Sequence, residues 1–192
     1  GAVYGNAGAY GQTISDYILE VLAFDGSKTI TLSKTQCNFN YRDSGFKKTH
    51  LIILKVTFQL EKDDPKILEE EARDVLSKRL VKYPPGIKCP GAFFKNIIAD
   101  TISKEILKKI PKEMIVYGKL SAGSLLEAVG AKGASLNGIE IASYHANLFV
   151  NKKGGTAKAF YDLAKKYADK VKEKFDITLE PEVQLINLFP LH

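Results

Sequence analysis

The sequence predicts an α+β protein, and three observations carry that prediction. β-rich runs are joined by the strong turn signal Asp25-Gly26, apolar residues recur at helical spacing after Pro65 and after Thr156, and the two patterns are intermixed rather than arranged as strict βαβ repeats. With 192 residues, 45% hydrophobic and 26% charged, the chain can bury a sizeable core in one large or two small domains.

The first eleven residues, Gly1-Ala2-Val3-Tyr4-Gly5-Asn6-Ala7-Gly8-Ala9-Tyr10-Gly11, begin without Met and read like the interior of a domain. Their four glycines allow a backbone that approaches a ligand closely; a flexible tag remnant is the plainer alternative. Tyr17 to Phe24 is rich in β-formers, Asp25-Gly26 turns the chain, and Thr29 to Leu32 alternates, so a hairpin is expected. His50 to Leu60 reads as a third strand with Ile52, Leu54, Val56 and Phe58 on one face. Pro65 opens a helix whose stripe of Leu68, Ala72, Val75 and Leu76 also carries Arg79 and Lys82, placing two cations on the expected inward face.

Pro84, Pro85, Gly86 and Pro90 make residues 83 to 91 a constrained loop and a domain boundary. Beyond it the pattern predicts a short strand at Phe93 to Ile97, helices near Thr101 to Ile110 and Ala122 to Val129, and a strand at Leu148 to Val150. Thr156 caps a helix in which Phe160, Leu163, Ala164, Tyr167 and Val171 repeat at helical spacing, and Ile177 to Leu188 is expected as a closing strand.

The net charge of +6 is spread over amphipathic segments such as Lys165-Lys166, Lys170, Lys172 and Lys174, the pattern of solvated helix faces. No basic stretch interleaved with stacking aromatics and no base-reading motif is present, which excludes a nucleic-acid reader. No apolar run reaches the roughly 20 residues of a membrane span, and the first residues lack the build of a secretion signal, so a cytoplasmic protein is expected. Cys37 and Cys89 form no metal-binding cluster and are read as reduced, structural thiols.

Three segments bear chemistry. In Tyr41-Arg42-Asp43-Ser44-Gly45-Phe46-Lys47, Arg42 offers planar, permanently charged donors that can grip a carboxylate in two places, although taken alone a surface pair with Asp43 is the plainer use. Leu179-Glu180-Pro181-Glu182-Val183 sets two carboxylates in an apolar run, where alternation around an edge-strand proline would also explain them. Arg79-Leu80-Val81-Lys82-Tyr83-Pro84 leads into Gly91-Ala92-Phe93-Phe94-Lys95-Asn96, and its cations suit a diphosphate or carboxylate; a basic helix end facing its own dipole is the alternative.

Taken together these segments resemble the UDP-N-acetylenolpyruvoylglucosamine reductases of peptidoglycan synthesis, in their shorter subtype. The family pattern is Gly-Ser-Phe-Phe-Lys-Asn where this chain has Ala92, Tyr-Arg-Asp-Ser-x-Phe-Lys at 41–47, Leu-Glu-x-Glu-Val at 179–183, and Arg-x-x-Lys-x-Pro at 79–84. Ala122-Gly123-Ser124-Leu125-Leu126-Glu127, Gly130-Ala131-Lys132-Gly133 and His145-Ala146-Asn147-Leu148-Phe149-Val150-Asn151 resemble further family segments, and the matches run in order from residue 1 to about 185. His145 is kept as a structural histidine.

The resemblance implies reduction of UDP-N-acetylglucosamine enolpyruvate to UDP-N-acetylmuramate with FAD as cofactor and NADPH as hydride donor. It implies catalytic roles for Arg42, Glu182 and the proton-donor serine position, here Ala92; substrate contacts from Tyr41, Arg79, Lys82 and Asn96; and flavin contacts from Asn6, Ala7, Gly8, Ala9, Tyr10 and Gly11. It also implies that residues 1–80 close an FAD-binding α+β domain, that 81–183 form a mixed α/β substrate-binding domain, and that 184–192 are a C-terminal tail. The family's Gly-x-Gly-Ser-Asn segment is absent from this chain, so an amino-terminal FAD-binding part is expected as a missing or separate piece. Ala92 cannot donate a proton, which leaves a non-catalytic UDP-sugar-binding relative as the alternative. A sugar oxidase with a related flavin half would leave Leu-Glu-Pro-Glu-Val unexplained.

Overall fold

The structure, a computed structural model, describes residues 1–191, so position 192 of the tail lies outside the described residues. The chain divides into two compact units, Gly1–Glu71 and the residues from Ala72 onward, and mixes helix and sheet as the α+β prediction requires.

In the first unit, β1 (Gly8–Ala9) and β2 (Gln12–Thr13) form a minimal hairpin across Tyr10-Gly11, both at positive φ. The main sheet has β3 (Ile18–Phe24) between β4 (Thr29–Ser33) and β5 (Ile52–Phe58), all antiparallel. The expected Asp25-Gly26 hairpin is present: the Asp25 carboxylate accepts backbone N–H bonds from Ser27 and Lys28, and these bonds hold its pKa below the usual range.

The face assigned to the third strand is corrected. Lys55 lies opposite Leu22 and Ile53 opposite Ala23, so Leu54 is the extra residue of a β-bulge that switches the alternation. Val56 and Ile53 therefore pack on the core of Ile18, Val21, Ala23, Cys37 and Phe46, while Ile52, Leu54 and Phe58 remain exposed. Burial pushes the Cys37 thiol up, as expected of a structural cysteine.

Helix α1 (Pro65–Lys82) begins where Pro65 predicted, with the Asp64 side chain accepting the Lys66 N–H at 2.8 Å. Its stripe is a second correction. No residue of α1 is buried, and Leu68 and Leu76 are 47% and 55% exposed, because apolar and charged residues are spread around the helix with little segregation.

The second unit is built mostly from short elements around a main core, with a smaller cluster of Ala142, Leu148 and Val150 beside Tyr83 and Ile87. β6 (Ile97–Ile98) pairs with β8 (Lys119–Leu120), which also pairs with β7 (Ile115–Val116). α2 is a single turn, Lys104–Leu107, capped by Ser103, so the helix expected over Thr101 to Ile110 is shorter, ending before Pro111. α3 (Ala122–Ala128) is capped by Ser121 and matches its prediction within a residue. A second sheet orders β9 (Ser135–Leu136), β10 (Ile139–Ile141) and β11 (Phe149–Asn151) antiparallel, with Asn137-Gly138 as its positive-φ turn.

α4 (Ala157–Phe175) starts at the Thr156 cap and buries Ala159, Leu163, Ala164, Tyr167, Ala168 and Val171. Its outer face carries the i,i+4 pairs Lys158–Asp162, Lys165–Asp169 and Lys172–Asp176, which explains where the lysines go. The closing strand expected at Ile177 to Leu188 does not form as a named strand. Pro181 interrupts it, and its ladder is limited to the stretch around a single bridge from Phe94 to Pro181. The strand expected at Phe93 to Ile97 is likewise reduced to isolated bridges followed by β6.

The core gathers Phe93, Phe94 and Phe149 with Leu120, Leu125, Leu126, Ile139, Leu163 and Leu179. Phe93 lies 4.9 Å from both Phe94 and Phe149 and stacks on Phe160 at 5.9 Å, so the paired phenylalanines of the hexapeptide anchor the fold. Truncating Leu163, 1% exposed in this core, should lower unfolding free energy by about 2–5 kcal/mol. Urea denaturation of Leu163→Ala reads this directly; a loss below about 1 kcal/mol would show that α4 is not seated as described.

Candidate functional site

The residues singled out in the sequence fall on both units. In the first, the loop of Asn6 to Gly11 and the segment of Arg42 are built together. Asn6, 4% exposed and at positive φ, donates from Nδ2 to the Asn40 carbonyl at 2.8 Å and accepts the Ser15 N–H at Oδ1. Arg42 also holds a positive φ of 52° and donates from Nη2 to the Gly8 carbonyl at 2.6 Å, while its own carbonyl accepts from Lys47 Nζ at 2.6 Å. A left-handed backbone at a long side chain is uncommon and persists where surrounding bonds over-determine it. The Arg42 guanidinium lies 5.4 Å from the Tyr41 ring centre. Gly8 is required by packing, since a Cβ there would meet the Gln12 carbonyl at 2.7 Å and Arg42 Nη1 at 3.1 Å. Ala7, Gly8, Ala9 and Gly11 carry no side chain beyond Cβ, and Tyr10 is exposed, so this loop presents backbone to its surroundings.

In the second unit, Gly91 at φ +91° turns the chain into a segment held on both edges. On one edge, Ala92 bridges to Leu148 and the Phe93 N–H donates to the Asn147 carbonyl at 3.0 Å. On the other, the Lys95 N–H donates to the Glu180 carbonyl and the Glu182 N–H donates to the Phe93 carbonyl at 2.7 Å. The structure therefore brings Ala92 and Glu182 onto adjoining backbone. Glu180 points its carboxylate to the Lys95 ammonium. Asn96 accepts the Ala122 N–H at its Oδ1, which leaves its amide nitrogen as the donor this side chain offers.

Arg79 and Lys82 both approach Tyr83, at 5.3 and 5.5 Å from its ring centre. Burial, and then the nearby Arg79 charge, push the Lys82 pKa down. Tyr144 donates its hydroxyl to the Lys82 carbonyl at 3.1 Å, tying the end of α1 to the 142–147 loop. His145 follows in that loop. Burial first, then the Lys82 charge, hold its pKa down at about 4, with its own backbone hydrogen bond and the Glu127 charge opposing and Lys132 adding to the depression. Its Nδ1 accepts the Asn147 N–H at 3.1 Å, which fits a neutral ring and a structural histidine.

The sequence reading passed over Asn147 and Tyr144. Asn147 is 3% exposed and bonds Phe94 from both ends of its carboxamide; only its place beside His145 marked it. Among the described residues no group of His, Cys, Asp and Glu could hold a metal ion, and no helix is long and apolar enough to cross a membrane.

With this geometry in place, comparison with known proteins defines the class first: residues 84–186, more than half of the chain, match the family model for the C-terminal domain of UDP-N-acetylenolpyruvoylglucosamine reductase. Reductases of that name from Solibacter usitatus and Fervidobacterium nodosum are 39% and 34% identical, each over 96% of this chain. The crystal structure of the enzyme from Thermus caldophilus superposes with a TM-score of 0.70 at 26% identity, covering 96% of this chain and 58% of that one. The chain belongs to the UDP-N-acetylenolpyruvoylglucosamine reductase family. It spans 60% and 54% of the length of the two relatives.

The histidine gives a pH test. Its folded pKa of about 4 lies below the unfolded value near 6.5, so the unfolded chain binds the proton first, and stability falls as pH drops from about 6.5 to about 4. His145→Gln should remove roughly 1–3 kcal/mol of that fall, seen as a flatter unfolding free energy between pH 6.5 and 4.5. Equal slopes for both proteins would show that His145 is not buried neutral.

Proposed function

We propose that this chain supplies the substrate-binding domain, and the end of the FAD-binding domain, of an enzyme that reduces UDP-N-acetylglucosamine enolpyruvate to UDP-N-acetylmuramate for peptidoglycan synthesis in the cytoplasm. On this reading residues 1–80 close the FAD-binding domain and residues 81–183 hold the UDP-sugar. The observation that carries it is the joining of two family motifs, Gly91 to Asn96 and Leu179 to Val183, through the Phe93–Glu182 backbone bond.

Arg79 and Lys82 would meet the diphosphate, where the partly desolvated Lys82 ammonium gains most from an anionic partner. Asn96 would add a neutral donor from its amide nitrogen. Arg42, fixed through Gly8 and through its own carbonyl, would grip the enolpyruvyl carboxylate with Tyr41 beside it. Glu182 would be the acid that stabilises negative charge developing on the substrate.

The Asn6 to Gly11 loop would meet a flat cofactor such as the FAD ring system at its exposed end, where Ala9 and Gly11 allow close approach of the backbone. FAD, when bound, supplies the hydride that NADPH provides, delivered to the enolpyruvyl double bond. The remaining length of the relatives is the natural source of the rest of the cofactor site, present as a preceding or separate piece.

The proton required at the neighbouring carbon would come from position 92, and Ala92 has none to give. A water held beside Ala92 is the substitute available to a working enzyme; a UDP-sugar-binding relative without turnover is the reading that Ala92 itself favours. Restoring the hydroxyl separates them. In a full-length, flavin-loaded version, Ala92→Ser should raise substrate reduction by about 10²–10⁴-fold, followed as NADPH oxidation. No rise would remove position 92 from the mechanism, and a colourless protein that still binds UDP-N-acetylglucosamine would favour the non-catalytic reading.

A further inference from the structure

We propose that Asn147 is the positioning residue of this site: its carboxamide replaces a missing strand partner and fixes the segment that carries Ala92 on one flank and meets Glu182 on the other. Phe94 is 1% exposed, so neither its N–H nor its carbonyl can turn to water. Asn147 Oδ1 accepts the Phe94 N–H at 2.8 Å, and Asn147 Nδ2 donates to the Phe94 carbonyl at 2.8 Å. A backbone strand would present this same donor and acceptor pair, but the chain at 145–148 is turning and cannot. A primary carboxamide of this length does the work of the absent peptide. Leucine lacks both groups, serine has one short hydroxyl in place of a separate donor and acceptor, ionised aspartate lacks the donor, and glutamine would force an extra methylene into a packed core.

Asn147 is itself held at three points. Its carbonyl accepts from Phe93, its N–H donates to His145 Nδ1, and its side chain is closed on Phe94. Between the Phe93 N–H and the Phe94 N–H lies the Phe93 carbonyl, the acceptor for the Glu182 N–H. Loosening Asn147 would therefore move the backbone that Glu182 hangs on. The meaning of that movement for a bound ligand rests on the functional reading above; the positioning itself does not.

The test is amide hydrogen exchange by NMR on this chain, unsubstituted and as Asn147→Asp. Aspartate keeps the shape and the acceptor but loses the donor until it is protonated, and burial favours the protonated form. At pH 7.5 the Phe94 and Glu182 amides should lose about 10–100-fold of their protection while Leu163 in α4 keeps its own. At pH 5.5 a protonated carboxyl donates to the Phe94 carbonyl, and protection should return to within about threefold of the unsubstituted chain at the same pH. His145 is neutral at both values, and Lys95, Glu180 and Glu182 on the opposite edge are present in both proteins, so the unsubstituted chain controls for them.

Unchanged protection at Glu182, or no recovery at pH 5.5, overturns the proposal. If Asn147→Asp does not fold, the unsubstituted chain still decides through the scalar coupling across the Asn147 Nδ2 to Phe94 carbonyl bond, whose absence overturns it. UDP-N-acetylglucosamine serves as the ligand probe. Its affinity should fall about tenfold in the variant at pH 7.5 and recover at pH 5.5. Failure of the unsubstituted chain to bind this probe counts against the functional reading, and the exchange result still decides the role of Asn147.

Discussion

The constraint on which the second unit depends is the two-edged confinement of residues 92–95. This stretch pairs only through isolated bridges, yet the N–H and carbonyl of Phe93 and Phe94 and the N–H of Lys95 are satisfied from Asn147 on one side and from Glu180 and Glu182 on the other. Buried backbone polar groups must find partners, and here a side-chain amide completes the set. Because those groups are satisfied, Phe93 and Phe94 can both enter the core against Phe149 and Phe160. The same arrangement delivers Ala92, Asn96 and Glu182 to one neighbourhood. The aromatic pair of the motif holds the fold, and the proposed chemistry falls to the residues around it.

That division explains why Ala92 is compatible with an intact fold. Position 92 enters the structure through its backbone bridge to Leu148, which a serine or an alanine makes equally well. On the proposed reading, alanine here forgoes a proton donor and keeps the backbone bridge. In the first unit the logic is different. Arg42 holds an unfavourable backbone conformation while donating to the Gly8 carbonyl and accepting from Lys47, and Gly8 cannot carry a side chain without striking Gln12. Strain of this kind persists only where surrounding bonds over-determine it, and here those bonds fix the guanidinium that the proposed reading gives to a ligand.

Much of this was legible in the sequence where the determinants are local. Asp25-Gly26 specified its hairpin, Thr156 capped α4, and the motifs named the family. The misses have physical causes. The alternation of Ile52, Leu54, Val56 and Phe58 is regular in sequence, but a bulge at Leu54 reverses it, and bulges depend on the partner strand. Asn137-Gly138 is a strong hairpin signal, but its flanking strands of two and three residues are too short to show alternation. Ile177 to Leu188 alternates yet has Pro181 and only a short partner, and α1 has helical spacing without a buried face. His145 titrates low because burial and Lys82 act on it across 63 positions of sequence, and Asn147 clamps a residue 53 positions away. Neither effect has a local signal.

The central claim is that the second unit holds a UDP-sugar on Arg79, Lys82, the 91–96 segment and Glu182. The most direct measurement is a titration of the isotope-labelled chain with UDP-N-acetylglucosamine, followed residue by residue in amide correlation spectra. The account predicts saturable shifts at Arg79 to Tyr83, Gly91 to Asn96, His145 to Asn147 and Glu182, with α4 unmoved. Shifts confined to other surfaces, or none at ligand concentrations up to about 10 mM, where binding as weak as about −3 kcal/mol would register, would contradict it.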